Sequence, residues 1–249
     1  MTSLHRIIPC LLLRHTGCVK TTRFSDPTYL GDPINIVKLF NDMEVDELGI
    51  LDIAATREGR GPNLELLGTI ADNAFMPLSY GGGLGSVDDA RRVLETGYEK
   101  VVIGSRAAQQ AELITEVAGI VGSQSVIVSI DVRGNFRGEY EVCVDNGRRR
   151  VGRAPEEYAR EMEERGAGEI LLTSIDRDGT MKGYDLDLIR RVTATVRIPV
   201  IASGGAGSVE HLAEAIEKGG ASAVAVGSLF VFHGRRRAVL VNVPKSLRV

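Results

Sequence analysis

Carboxylate side chains that follow apolar stretches are the residues of this sequence best suited to acid and base chemistry. Asp131 stands at the end of an apolar run over residues 125–132, and Asp176 and Asp178 follow another run over residues 169–175. Burial beside apolar residues raises the pKa of a carboxyl toward the range useful for proton transfer. Two quieter alternatives stay open: Asp131 pairs with a cation for stability, or the segment 176–180 is only a turn with Asx hydrogen bonds.

A glycine-rich pattern that occurs twice indicates phosphate binding. Residues 199–209 repeat residues 77–87 at a distance of 122 positions, and six of the eleven positions are identical. Each copy predicts a strand, a tight glycine turn and a Ser that caps a helix, which lets backbone N–H groups approach an anion closely. Tight turns that bind nothing are the alternative. The predicted phosphate ligands form a first glycine site (Gly82, Gly83, Gly104 and Ser105) and a second glycine site (Gly204, Gly205, Gly227 and Ser228).

Eight apolar runs that alternate with helical patterns must position these residues. Strands that alternate with helices predict a parallel sheet, and eight of them in 249 residues match the size of a closed (β/α)8 TIM barrel. The repeat predicts one domain over residues 1–249, built from half-barrels at about 1–122 and 123–249. An open doubly wound sheet is the rival, but it needs fingerprint glycines after the first strand, where Leu12, Leu13 and Arg14 stand. The runs are residues 7–13, 47–52, 77–80, 100–103, 125–132, 169–175, 199–202 and 223–226.

In a barrel of this kind, chemistry takes place at the mouth, where the C-terminal ends of the strands meet. Further candidates there are Leu12, Lys20, Asp52, Thr173 and Ser203. Residues 14–33 predict a long loop that acts as a lid or is mobile. Residues 139–144 and 148–151 predict a hairpin over the mouth, because Asn146-Gly147 separates them. The tail after Phe232 is basic, at residues 233–237, and leaves little room for a full eighth helix.

Four charged residues at the starts of strands should meet at the opposite end, the floor of the barrel. We call Arg6, Glu47, Lys100 and Glu169 the floor cluster. Two cations and two anions there could form a ring of salt bridges, because buried ion networks are tolerated when complete. Such a ring is either a plug that seals the core or a gate into an internal channel.

Composition narrows the class of protein. A net charge of −3 argues against a nucleic-acid partner or an anionic membrane. Cys10, Cys18 and Cys143 show no metal spacing and cannot all pair, which is typical of a reducing cytoplasm. No apolar run is long enough to span a membrane, and no leader is evident. The four scattered histidines indicate no metal site, and no cofactor is expected.

Six motifs, at residues 6–11, 46–48, 81–83, 122–125, 166–180 and 201–207, together resemble those of the cyclase subunit of imidazole glycerol phosphate synthase. That resemblance implies a partner glutaminase that docks on the floor and releases ammonia, which passes through the barrel to a bisphosphorylated ribonucleotide at the mouth. It makes the floor cluster an ammonia gate, Glu99 an interface acid, and the two glycine sites phosphate sites.

The chain departs from this family at the residues that should do the cyclase chemistry. The family pairs an acid at the end of the first strand with one at the end of the fifth; Asp131 matches the second, but Leu12 stands at the first. An Asn-Thr phosphate partner after the fourth strand is also replaced, by Gly104 and Ser105. The short basic tail and the Leu12-Leu13 replacement resemble a branch of the family that works in sugar amidation for surface polysaccharides, with a third, ATP-dependent enzyme. A genuine cyclase that uses Asp178, and a non-catalytic phosphate-binding protein, are the alternatives.

Overall fold

The computed structural model describes residues 5–234 and 236–244 of the chain. The strands, numbered in chain order, are β1 (Arg6–Arg14), β2 (Gly17–Thr22), β3 (Ser25–Gly31), β4 (Leu48–Asp52), β5 (Leu78–Gly81), β6 (Lys100–Ile103), β7 (Val126–Gly134), β8 (Tyr140–Val144), β9 (Arg149–Arg150), β10 (Glu169–Ser174), β11 (Val200–Ser203), β12 (Ala223–Val226), β13 (Phe232–His233) and β14 (Ala238–Val239). The helices are α1 (Pro33–Asp42), α2 (Leu64–Ala71), α3 (Val87–Glu95), α4 (Ser105–Gln109), α5 (Glu112–Val121), α6 (Pro155–Glu164), α7 (Leu186–Thr193), α8 (Val209–Glu217) and α9 (Ser228–Val231).

Eight of these strands close into a parallel barrel. The order around the barrel is β1, β4, β5, β6, β7, β10, β11 and β12, and the ring closes where β12 pairs in parallel with β1. Helices follow the barrel strands and pack against their outer faces. The predicted (β/α)8 barrel is therefore confirmed, and the open doubly wound sheet is excluded because such a sheet has two free edges.

The protein has two hydrophobic cores, one between the strands and the helices and one inside the barrel, because side chains alternate between the two faces of each strand. On β7, Val126, Val128 and Ile130 face the helices and belong to the large outer core, while Ile127 belongs to a smaller core inside the barrel. Successive residues of a strand point to opposite faces. The interior layer is filled by residues that each come from an inward position: Ile8, Val102, Ile127, Leu171, Ile201, Ala223 and Ala225.

The same period of two fixes what lies above and below this apolar layer. On β10, Glu169, Leu171 and Thr173 share the inward face, so this strand carries a charge at the floor, an apolar residue in the middle and a hydroxyl at the mouth. On β1, Ile8 belongs to the inner core and Leu12 lines the pocket at the mouth. The chemistry of the barrel is thus layered along its axis.

The segment 14–33 is not the irregular loop that the sequence predicted. Residues 17–22 and 25–31 form β2 and β3, an antiparallel hairpin that continues from β1. The β-branched residues Val19 and Thr21 favour a strand there. The prediction was wrong because the segment is rich in Gly, Asp and Pro, which are typical of turns and loops. The hairpin lies beside the mouth, where Arg23 N donates to the Asp178 carbonyl oxygen at 2.9 Å.

Three other predictions about local structure, a hairpin, two Ser caps and a short last helix, have different outcomes. The hairpin with an Asn-Gly turn is present, since β8 pairs with β9 and Asn146 adopts a left-handed φ of 56°. Ser86 caps α3 by accepting a hydrogen bond from Asp89 N at 3.1 Å, whereas Ser208 stands at the start of α8 without a capping side-chain bond. The last helix, α9, is only four residues long, as expected from the short tail. Arg235 of that tail lies outside the described residues.

Candidate functional site

A single large pocket, the mouth pocket, brings together the predicted residues at the C-terminal ends of the strands. It has a volume of about 170 Å³ and opens to solvent. Asp176 lies outside it, exposed at the rim, where its carboxylate accepts from Gly134 N at 2.9 Å. Fifteen residues predicted from the sequence line the pocket: Leu12, Lys20, Asp52, Gly82, Gly83, Gly104, Ser105, Asp131, Thr173, Asp178, Ser203, Gly204, Gly205, Gly227 and Ser228.

The two glycine sites are built in the same way. A Cβ atom at Gly82 would lie 2.5 Å from the carbonyl oxygen of Asp52, and one at Gly204 would lie 2.6 Å from that of Ser174. Both glycines have positive φ, 127° and 90°. Position 174 follows position 52 by the same 122 residues that separate the two glycines, so the repeat preserves the contact as well as the sequence. Only glycine fits these turns, and their backbone faces the pocket.

Asp131 is the carboxyl best placed for proton transfer. It lies in the mouth pocket, on the inward face of β7 near Ser129, whose hydroxyl is 3.5 Å from its Oδ1. Burial, together with the negative charge of Asp178, raises the pKa of Asp131 to about 7, although hydrogen bonds with Ser129 and Thr173 oppose the shift. A carboxyl with this pKa can both donate and accept a proton at neutral pH.

The raised pKa predicts how Asp131 affects stability. Because the folded pKa lies above that of an unfolded Asp, the folded state loses stability as the pH rises from about 4 through 7. We expect Asp131→Asn to stabilise the protein above pH 7 by about 1–2 kcal/mol, discounted for water in the pocket, and to have almost no effect at pH 4. Thermal unfolding between pH 4 and pH 8 measures this difference. Asp72→Asn, at an exposed carboxyl, is the control, and an equal response of both variants would contradict the prediction.

Asp178 is committed to an ion pair rather than free for proton transfer. Its Oδ1 lies 2.8 Å from Lys20 Nζ, and its Oδ2 accepts from the Thr21 hydroxyl at 3.2 Å. All three side chains are buried. This pair attaches the β2–β3 hairpin to the loop after β10, and it places the Lys20 ammonium in the mouth pocket beside Gly227, where a Cβ atom would lie 2.9 Å from Lys20 Cε.

Asp52 is also engaged by its own loop. Its Oδ1 accepts from the backbone N–H groups of Ala54 and Ala55, at 2.9 and 3.0 Å, and its Oδ2 lies 2.9 Å from Arg60 Nη1. These contacts fix the backbone after β4 against the first glycine site. Asp52 therefore shapes this site through the backbone rather than by offering a free carboxylate.

Leu12 occupies the inward position at the end of β1. It pairs with Leu51 of β4 and with Val19 of β2, and its side chain lines the mouth pocket. Leucine has no proton to exchange, so Asp131 has no acidic counterpart at this position of the barrel.

The floor cluster is assembled as a closed set of salt bridges. Arg6 contacts Glu47 at 2.8 Å and Glu169 at 2.7 Å, and Lys100 contacts the same two carboxylates at 3.3 and 2.8 Å. Burial alone would raise the pKa of Glu169, but hydrogen bonds from Arg6 and Lys100 hold it below its ordinary value. Glu47 stands one residue before β4, not within it as predicted.

A small inner cavity lies between the floor cluster and the mouth pocket. It has a volume of about 20 Å³, and Glu47 of the floor cluster is part of its lining. Cys10, Leu51, Val102 and Ala225 line both the inner cavity and the mouth pocket. One water-sized molecule needs roughly 10–15 Å³, so the inner cavity can hold one such molecule on the barrel axis.

Several lining residues of the mouth pocket were not predicted. Phe24 comes from the β2–β3 turn, Arg106 from α4, and Asn146 from the β8–β9 turn, where its Nδ2 donates to the Ile53 carbonyl oxygen at 2.7 Å. The Asn-Gly turn signal had placed the hairpin of Asn146 over the mouth without identifying this contact. No sequence pattern pointed to Phe24 or Arg106, because Phe24 lies in a turn and Arg106 in a five-residue helix rather than at the end of a barrel strand.

The fold and the position of the pocket define a class: a (β/α)8 barrel with its main pocket at the C-terminal mouth. The family model described as "Histidine biosynthesis protein" matches residues 6–236, and the chain belongs to this family. No helix among the described residues is long and apolar enough to cross a membrane, and these residues contain no group of side chains that could hold a metal ion.

Relatives in three bacteria carry names that refer to one enzyme. The chain is 49% identical over 239 residues to a Pseudomonas aeruginosa protein provisionally named imidazole glycerol phosphate synthase subunit hisF2, covering 96% of this chain and 95% of that protein. It is 45% identical over 242 residues to a provisionally named HisF of Leptospira borgpetersenii, covering 97% and 95%. It is 43% identical over 228 residues to imidazole glycerol phosphate synthase subunit HisF of Alkaliphilus metalliredigens, covering 92% and 90%. The predicted resemblance to the cyclase subunit is confirmed.

Proposed function

We propose that this chain is the barrel subunit of a glutamine amidotransferase complex and conducts ammonia from its floor to its mouth. The observation that carries the proposal is the axial order of the floor cluster, the inner cavity and the mouth pocket, with shared lining residues. Ammonia is about as large as water, so the inner cavity accommodates it. Its walls are apolar apart from Glu47 and Ser79, and Glu47 is already paired with Arg6 and Lys100, so the cavity favours neutral ammonia over ammonium.

The partner in this proposal is a glutaminase that docks on the floor. Phe75 is 88% exposed in the turn before β5, and Ile120 is 64% exposed at the end of α5, so both lie at the floor end of the barrel. Glu99 is exposed beside Lys100. Apolar side chains next to charged ones are typical of protein interfaces, and the word "subunit" in the relatives' names agrees with a partner. The floor cluster would then act as the ammonia gate.

The ligand at the mouth is proposed to carry phosphate groups. The two glycine sites present backbone from opposite halves of the barrel to one pocket, which suits a ligand with a phosphate at each end. Lys20, Thr173 and Ser203 would contact the part between the phosphates. Asp131 would exchange a proton with that ligand, and Asp178 would hold Lys20 in place. None of these steps needs a cofactor or metal.

The missing acid at Leu12 favours a role other than histidine biosynthesis. We propose that ammonia leaving the mouth is used to amidate a sugar during surface-polysaccharide synthesis in the cytoplasm. A third, ATP-dependent enzyme would receive the ammonia and carry out the amidation. A conduit would keep the floor cluster and tolerate the loss of one cyclase acid, which is the combination this chain has.

A genuine imidazole glycerol phosphate synthase cyclase is the second candidate. The pKa of about 7 at Asp131 favours it, because one titrating carboxyl is already suitable for acid and base chemistry. Asp178 would then have to supply the second, which its ion pair with Lys20 disfavours.

Growth of a histidine auxotroph separates these two functions. A strain without its own cyclase subunit, supplied with this chain, is expected not to grow without histidine, since losing a positioned general acid costs about 10²- to 10⁴-fold in rate. The same strain supplied with a relative that has Asp at the position of Leu12 is the positive control. Growth at the control rate would contradict the conduit proposal and support the cyclase.

A further inference from the structure

The second glycine site is contacted from behind by a cation of the C-terminal tail. Arg237 Nη2 donates to the carbonyl oxygen of Gly179 at 2.9 Å and lies 3.4 Å from the hydroxyl oxygen of Ser228. Both Gly179 and Ser228 line the mouth pocket. The guanidinium therefore bridges the loop after β10 and the start of α9.

The tail is folded so that Arg237 is held at this place. Phe232 and His233 pair with Val239 and Ala238 in the β13–β14 hairpin. Arg237 stands in the turn of this hairpin with a left-handed φ of 52°, and its guanidinium carbon lies 4.6 Å from the centre of the Phe232 ring. The chain beyond the hairpin returns along α9, where Leu240 N donates to the Val231 carbonyl oxygen at 3.0 Å.

The charge of Arg237 is not neutralised within the part of the chain that the structure describes. Among the described residues, the guanidinium donates to an uncharged carbonyl oxygen and an uncharged hydroxyl, and its Nε is buried without a hydrogen-bond partner. Lys20, a cation that lines the mouth pocket, is by contrast paired with Asp178 at 2.8 Å. Arg237 is half-buried, and a cation whose Nε–H is buried without a partner favours a nearby anion, because an unpaired buried donor is costly.

The contact with Ser228 connects Arg237 to the mouth pocket, because Ser228 lines that pocket. Ser228 is almost fully buried, and its oxygen is the acceptor for Arg237. A hydroxyl that accepts one hydrogen bond keeps its own proton for another partner, and within the described residues no other partner takes it. The neighbouring helix, α9, has only four residues and contributes little dipole of its own.

We propose that Arg237 is a positioning residue for an anion at the second glycine site. It turns the Ser228 hydroxyl toward the pocket as a donor and supplies the positive charge that the short helix α9 lacks. The ligand group would be a phosphate monoester or another dianion of that shape. This inference rests on the proposed phosphate-bearing ligand, and it assigns the tail of this chain a part in binding it.

Amide NMR spectra recorded during a phosphate titration test separately whether the mouth pocket binds phosphate and whether Arg237 contributes to that binding. Signals of Gly204, Gly205 and Ser228 report the second glycine site, and those of Gly82 and Ser105 report the first. With inorganic phosphate as the probe, we expect Arg237→Gln to weaken binding at the second site about tenfold, as for the loss of a charge-assisted hydrogen bond, and to leave the first site unchanged. Arg237→Lys should recover most of the lost affinity because it keeps the charge.

The outcomes are distinct. Arg236→Gln, at the exposed neighbouring residue, is the matched control and should bind phosphate like the wild type. Equal weakening by Arg237→Gln and Arg237→Lys, together with equal loss of thermal stability, would show a purely structural role and overturn the inference. Unchanged affinity in Arg237→Gln would also overturn it. Absence of phosphate binding by the wild type at both sites would instead refute the proposed phosphate-bearing ligand on which this inference rests.

Discussion

Replacing Leu12 with Asp is expected to give the protein cyclase activity, with ammonium salts as the nitrogen source, about 100-fold or more above that of the wild type. A positioned general acid contributes about 10²- to 10⁴-fold to the rate of such a reaction. Leu12 already lies on the inward face of β1 and lines the mouth pocket. A carboxyl there would share the pocket with Asp131, and the two would form the pair that the wild type lacks.

The controls for this variant separate chemistry from shape. Leu12→Asn has nearly the same size and polarity as Leu12→Asp but cannot exchange a proton, so it should remain at the wild-type level. Adding Asp131→Asn to Leu12→Asp should remove the gained activity. If Leu12→Asp folds, binds the bisphosphorylated ribonucleotide and still shows no turnover, the assignment of Leu12 as the lost acid position is wrong.

Glu169→Gln is expected to cause the largest loss of stability among single changes at the floor. Glu169 accepts from Arg6 at 2.7 Å and from Lys100 at 2.8 Å, and its side chain is only 11% exposed. Removing its charge leaves two cations facing Glu47 alone. Breaking a largely buried pair in this way costs about 3 kcal/mol, which lowers the Tm of a protein of this size by about 6–12 °C.

The pH dependence of this loss has a definite sign. Since the pKa of Glu169 is lowered in the folded protein, its contribution is present above the pKa of an unfolded Glu, about 4.3, and disappears as the pH falls below that value. The wild type and Glu169→Gln should therefore converge in stability toward pH 3. Glu214→Gln breaks an exposed helical pair with Lys218 and should change Tm only slightly. A similar loss in both variants would mean that the floor cluster does not contribute as a buried network.

The barrel could be predicted because its signals are local and repeated. Runs such as residues 126–130 alternate with amphipathic helices, and the 122-residue repeat duplicates the glycine turns. Residues 17–31 were misjudged because their strands are partly exposed and polar, so their pairing depends on β1 rather than on their own composition. The prediction that Ser208 caps α8 through its side chain was also wrong. The spacing of residues places Ser208 at the start of the helix but does not determine its side-chain rotamer.

In the candidate site, too, some features follow from local sequence patterns and others depend on contacts between distant parts of the chain. The pocket residues that end barrel strands, such as Asp131 and Thr173, were predictable because strand ends converge in a barrel. The ion pair of Lys20 with Asp178 joins residues 158 positions apart, and no local pattern encodes such a partner. Arg237 reaches the second glycine site through a hairpin that composition does not predict. The sequence therefore predicted which strand-end residues line the pocket, and the structure shows which of the charged residues are already paired.

Isotope transfer tests the central claim, that ammonia travels through the barrel, most directly. Leu12→Asp serves as the reporter and is combined with the glutaminase subunit from the same genome, glutamine labelled with ¹⁵N at the amide, and an excess of unlabelled ammonium in solution. The account predicts that the imidazole product keeps the ¹⁵N of glutamine, because ammonia passes from floor to mouth without mixing with the solvent. A product that carries ¹⁵N only in proportion to the diluted pool would contradict it.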